Sequence, residues 1–263
     1  MILLYVAVAL LYGLAAWLHG SATRPGHPRA GLAVALAALA LHAFTLSRAT
    51  LTAAGLDLSF PQALSLVAWL TALVAVASGL LRKLPGVATV VLPVAAVCAM
   101  APLAVSVPHL YPYGTQTWAS LHIAVAVVAY AFFAVAALQA LLLLGLERRV
   151  HRGAAPARSD GALPVLTLEA LLFQLVAAGF ALLTLTLVSG ILFSEQLFGR
   201  ALTFTHKNVL SLAGFVAFAV LLWGRWRYGW RGRRALLAVV GGTALLVLGY
   251  LGSKFVSQIV LGR

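Results

Sequence analysis

Seven histidines are spread through a chain that has only five acidic residues and one cysteine, so imidazole is the side chain with most scope for chemistry here. Imidazole ligates metals and carries protons near neutral pH. The acids, Asp57, Glu147, Asp160, Glu169 and Glu195, are too scattered to make a general acid/base pair. Cys98 stands alone, which removes a disulfide, a Cys-x-x-Cys redox pair and any cysteine-based covalent attachment of a cofactor. No glycine-rich turn precedes a Lys-Ser or Lys-Thr pair, so a phosphate-binding loop is absent as well. The expectation is a binding or assembly factor with no catalytic constellation.

The elements that carry these histidines follow from composition. With 63% hydrophobic and 9% charged residues and a mean hydropathy of +1.05, the 263 residues describe an integral membrane protein. Apolar runs of the length that crosses a hydrocarbon core of roughly 30 Å as helix recur eight times, near 2–18, 29–47, 60–81, 86–105, 118–146, 165–194, 207–224 and 235–253. The runs are continuous rather than alternating, which disfavours a lipid-facing barrel. The fold class is all-α, a polytopic bundle forming one integral membrane domain over residues 1–263. Met1 to Trp17 has no Lys or Arg ahead of its apolar stretch, and the first run is therefore read as a retained helix rather than a cleaved signal. Pro93 and Pro102 predict a kink in the fourth span.

Charge gives the sidedness. Arg24, Arg29, Arg82, Lys83, Arg148, Arg149, Arg152, Arg158, Arg225, Arg227, Arg231, Arg233 and Arg234 all fall in alternate connections, leaving Arg48, Arg200, Lys207, Lys254 and Arg263 for the other side. Lys and Arg are retained on the cytoplasmic side, so both termini are expected to be periplasmic. The same bias accounts for most of the net charge of +13 without a nucleic-acid partner. Trp223, Trp226, Tyr228 and Trp230 between arginines read as a headgroup-level belt on anionic lipid. Glu169, near the cytoplasmic end of the sixth span, is expected to pair with an arginine such as Arg148 or Arg149.

On this topology His19, His27 and His151 belong to cytoplasmic connections, whereas His42, His109, His122 and His206 gather toward the outer face. His42 lies roughly 7 Å below the outer edge of the second span, and His122 occupies the first turns of the fifth. A polar ring in hydrocarbon needs a partner. Packed helices stand about 8–10 Å apart, close enough for two inward histidines to reach opposite faces of one porphyrin. His42 with His122 is the favoured pair. The alternative is that His42 hydrogen-bonds to a serine, threonine or carbonyl of a neighbouring helix as packing glue. His206 is compatible with either a helix cap or a ligand. His109, beside Pro108 and Pro112, reads as a surface residue.

Gln116-Thr117-Trp118-Ala119-Ser120-Leu121-His122 leads into a helix carrying Tyr130, and His206-Lys207-Asn208-Val209-Leu210-Ser211 opens one that ends in Trp223-Gly224-Arg225. With His42-Ala43, the Leu183–Gly190 stretch and Gly229-Trp230-Arg231-Gly232-Arg233-Arg234, this pattern resembles the cytochrome c assembly protein family, the haem-handling membrane proteins of the CcsA, CcmC and HemX kind, and within it the YpjD-type inner-membrane branch. The resemblance implies haem b bound non-covalently near the periplasmic side, in cytochrome c biogenesis. It implies His122 as an outer ligand, His42 and His206 as further candidates, Trp118 and Tyr130 as pocket lining, and other maturation proteins as partners. Three departures stand out. Thr205, His206 and Lys207 replace the expected Trp-Asp-Pro-Lys end of the outer loop, and histidines are missing near Trp223 and near Gly252 and Ser253. Two other classes stay open: a membrane transport or cation-tolerance protein, and a scaffold subunit that has lost haem delivery.

Overall fold

The computed structural model describes residues 1–20, 27–52, 55–82, 87–104, 110–111, 117–152, 165–192 and 206–261. His109 lies outside the described residues, as do Arg24, Lys83, Arg158, Arg200 and Arg263. The helices are α1 (Ile2–Gly20), α2 (His27–Thr50), α3 (Phe60–Arg82), α4 (Val87–Ala99), α5 (Ala101–Ala104), α6 (Thr117–His151), α7 (Val165–Leu192), α8 (His206–Tyr228) and α9 (Arg233–Val247). The last of these runs on through a π turn (Leu248–Gly252), α10 (Ser253–Phe255) and a second π turn (Val256–Val260). Eight helical stretches are long and apolar enough to cross a membrane, as expected. Helix is the natural state for such runs, because it satisfies every backbone group without water.

The fourth span is interrupted at Met100, between α4 and α5, whereas α4 runs on through Pro93. Pro102 has no N–H to donate to the carbonyl of Cys98. The chain tightens instead, with Met100 N donating to Val97 O and Leu103 N to Met100 O at 3.1 and 3.0 Å. One feature the apolar pattern did not foretell is a small antiparallel sheet of β1 (Leu51–Thr52), β2 (Gly55–Asp57) and β3 (Leu110–Tyr111). Leu56 is opposite Leu51 on one side and Tyr111 on the other, tying the α2–α3 connection to the segment before α6.

α6 is the hub of the core, packing on α3, α4, α7 and α9. Phe133 of α6 stacks on Phe218 of α8 with centroids 4.1 Å apart, and Phe180 of α7 on Phe215 of α8 at 4.8 Å. Gly242 of α9 lies against that Phe218 ring, where a Cβ would come within 3.0 Å. This is how small residues bring membrane helices together. An apolar pocket between α3, α4 and α6, lined by Val67, Thr71, Val91, Cys98 and Leu138 among others, includes none of the histidines.

Two faces of the bundle matter for function. At the arginine face, the α8–α9 turn is clasped to α7. Glu169, buried in α7, accepts a hydrogen bond from Gly232 N at 3.0 Å and lies 3.6 Å from Arg225 Nη1. The pairing of Glu169 with an arginine was expected, but the partner is Arg225 rather than the exposed Arg148 or Arg149. The reason is packing: α8 meets α7 here, and the Arg225 guanidinium sits 4.5 Å over the ring of Phe173, one turn beyond Glu169. Arg225 also donates to Trp230 O at 3.1 Å. Gly229 and Gly232, at φ +66° and +68°, supply the left-handed backbone that the turn requires.

Gly224 lies directly under the Trp230 indole, where a Cβ would come within 2.4 Å of ring atoms. A rigid ring cannot yield by rotating a methyl group. Gly224→Ala is therefore expected to cost about 1–3 kcal/mol by overpacking, read as a lower unfolding midpoint in detergent; an unchanged midpoint would contradict this account.

Candidate functional site

The opposite face, where α1 begins, is the terminal face of the bundle. It gathers the ends of α2 and α7, the starts of α3, α6 and α8, and the last turns of the chain. All the candidate ligands and lining residues among the described residues lie in its half of the bundle.

His42 is fully buried in α2. Its Nδ1 is 3.1 Å from the Tyr12 hydroxyl of α1 and its Nε2 is 2.9 Å from Ser65 Oγ of α3. Tyr12 also meets the imidazole edge-on, with centroids 5.7 Å apart. Both ring nitrogens are thus engaged by hydroxyls from the two helices on which α2 packs. This is the packing-glue arrangement that the sequence left open. The favoured partner of His42, His122, faces α7 instead, so the two rings meet different helices.

His122 is placed differently. It sits half-buried, five residues into α6 and about 8 Å from the start of that helix, facing the end of α7. Its Nδ1 is 2.8 Å from Ser189 Oγ. The Ser189 hydroxyl also lies 3.1 Å from Thr186 O, an acceptor one turn back in α7. Gly190 lies alongside, and a Cβ there would approach His122 Cε1 at 3.4 Å.

Around His122 the terminal face carries positive charge and aromatic rings. Lys207, in the first turn of α8, is near enough to act electrostatically on both His122 and Lys254. The ammonium groups of Lys207 and Lys254 lie 5.5 and 5.6 Å from the centre of the Tyr250 ring. Tyr250 packs on Tyr130 at 5.4 Å, and Ser211 of α8 is close to the Tyr130 hydroxyl. His206 is exposed at the start of α8, and Trp118 is 68% exposed at the start of α6. Of the five candidates, then, the structure places His122 within electrostatic reach of Lys207 and packs Tyr130 on Tyr250, leaves His206 and Trp118 exposed at their helix starts and sets His42 apart.

Lys207, Lys254, Tyr250 and Ser189 were missed by sequence reasoning. Lys254 was read as lying beyond the last span, yet the helix continues to Val260 with Lys254 buried in it. Burial is tolerated because Lys254 Nζ donates to Leu58 O, while Gln258 Oε1 accepts from Phe60 N at 2.6 Å. A signal was available: Tyr250 and Lys254 are four residues apart, one helical turn, in an otherwise apolar run. Among the described residues no three of His, Cys, Asp and Glu gather as a bare metal ion would need.

Residues 31–261 match the family described as Cytochrome C assembly protein. The chain belongs to this family. It is 34% identical over 140 residues to the inner membrane protein YpjD of Escherichia coli (strain K12), covering 53% of this chain and 52% of that one. Cytochrome c biogenesis protein CcsA of Chlamydomonas reinhardtii is 25% identical over 149 residues, covering 57% and 41%. CcsA of Parasynechococcus marenigrum (strain WH8102) is 27% identical over 168 residues, covering 56% and 55%. The chain spans about half the length of the curated relatives it matches. No solved structure matches it. The resemblance read from the motifs is borne out, and the match takes in His42, His122, His206, Lys207 and Lys254 while leaving out α1.

Proposed function

We propose that this chain is a haem-binding factor of the bacterial inner membrane that serves cytochrome c biogenesis. In this reading haem b is held non-covalently at the terminal face, which faces the periplasm. The observation that carries it is the place of His122: a half-buried imidazole held by Ser189 at the terminal face, within electrostatic reach of Lys207. Membership of the cytochrome c assembly family, and the CcsA relatives named for cytochrome c biogenesis, give that imidazole its proposed ligand.

The donor set fits an iron porphyrin. An imidazole serves the iron, Tyr130 and Tyr250 offer aromatic surface to a flat apolar ring, and lysines meet its carboxylates. His206, which shares the first turn of α8 with Lys207, takes the place of His42 as the second candidate ligand. Trp118 serves as rim. When bound, haem supplies a redox-active iron; the chain's own residues orient His122 and receive the carboxylates. Sidedness rests on Arg225, Arg227, Arg231, Arg233 and Arg234 lying at the face opposite His122, where the positive-inside rule puts the cytoplasm. Other maturation proteins are the partners that would deliver or receive the haem.

Titration of the detergent-solubilised full chain with haem tests the proposal. The expected result is a saturable Soret band that sharpens and shifts on reduction, as low-spin histidine-ligated iron does. A chain that leaves the haem spectrum unchanged at all ratios would sink it.

A further inference from the structure

Lys207 and Lys254 come from different helices, α8 and α10, yet both point their ammonium groups at one ring, that of Tyr250. Like charges brought together repel; Lys254 is buried, while Lys207 is exposed at the start of α8, where an incoming anion can reach it. An arrangement of this kind is favourable when an anion completes it. Lys254 has some compensation, because Asp57 acts on it electrostatically and Leu58 O accepts from it. Lys207 differs: among the described residues no carboxylate lies within ion-pairing distance of it. The two π turns, Leu248–Gly252 and Val256–Val260, bracket Lys254 and change the helical register there. Such widened turns are frequent where a helix aims side chains at a ligand.

We infer that Lys207, steadied over Tyr250 beside Lys254, is the carboxylate-binding group of this site and receives the propionates of haem whose iron faces His122. The inference rests on the haem reading above and deepens it, assigning the side of the site that would receive the carboxylates: the start of α8 and the Tyr250–Lys254 turn. The chemistry matches at each point. An ammonium pairs with a carboxylate through a short, charge-assisted hydrogen bond. Tyr250 limits where the Lys207 head can go, which lowers the entropy lost on pairing. Lys254, tied to the start of α3, acts as a fixed positive charge behind it.

The experiment compares haem with its dimethyl ester, which has the same iron and ring but no carboxylate charge, by Soret titration of the full chain in detergent. Wild type is expected to bind haem about tenfold more tightly than the diester. In K207Q the affinity for haem falls by a similar factor while that for the diester stays unchanged. Equal wild-type affinities for haem and diester overturn the carboxylate role and leave the haem reading intact. A K207Q loss that is the same for both porphyrins also overturns it, since that pattern marks a structural effect. No Soret band with either compound overturns the inference and the haem reading together. Should K207Q fail to fold, the wild-type ratio decides alone.

Discussion

On the proposed haem reading, His122→Ala is expected to remove the Soret band that haem titration develops, whereas His42→Ala is expected to leave the band in the folded fraction and instead lower stability. The contrast follows from what each ring touches. His42 is fully buried with Tyr12 on one nitrogen and Ser65 on the other. Truncation strands two buried hydroxyls and opens a cavity among α1, α2 and α3, a loss of about 2–4 kcal/mol. His122 is half-buried, and the Ser189 hydroxyl it leaves behind keeps its bond to Thr186 O, so the fold is expected to lose no more than about 1 kcal/mol. Parallel thermal unfolding and absorbance measurements on the two variants separate these roles. A Soret band lost in well-folded His42→Ala would restore the pairing of His42 with His122 and contradict the present assignment.

Glu169→Ala is expected to destabilise the protein by about 2–4 kcal/mol, with no direct effect on the haem spectrum. The carboxylate is buried, and its removal leaves Gly232 N without its acceptor and Arg225 without its counter-charge. Arg225 retains Trp230 O and the face of Phe173, which keeps the loss below that of a wholly buried pair. Glu169→Gln keeps an oxygen for Gly232 N and should forfeit roughly half as much. Chemical unfolding in detergent measures both. A Glu169→Ala protein within about 0.5 kcal/mol of wild type would show that the α8–α9 turn is held to α7 by packing alone.

Much of the architecture was legible beforehand. Eight apolar runs became eight spans, Pro102 broke the fourth, and the segment from Gly229 to Arg234 proved to be a built turn. The site was legible only in part. His122 stood out because a histidine near the start of an apolar helix needs a partner, but nothing local named Ser189, sixty-seven residues away. Lys254 was misplaced because a lysine ends a hydropathy run; the structure buries it against Leu58, from a connection on the far side of the sequence. The three short strands escaped notice because two or three residues show no periodicity.

What the sequence by itself determined is whatever depends on one residue at a time and sums along the chain: the transfer of apolar side chains into a hydrocarbon layer, the helical state that follows, the bias of arginines to alternate connections, and the family motifs. Tertiary structure alone decided which polar group meets which. His42 and His122 are the same side chain in the same half of the bundle, yet one is fully buried between two hydroxyls and the other is half-buried against Ser189, because different helices face them. Inside a membrane water cannot settle a polar group's hydrogen bonds, so the identity of the facing helix sets its chemistry.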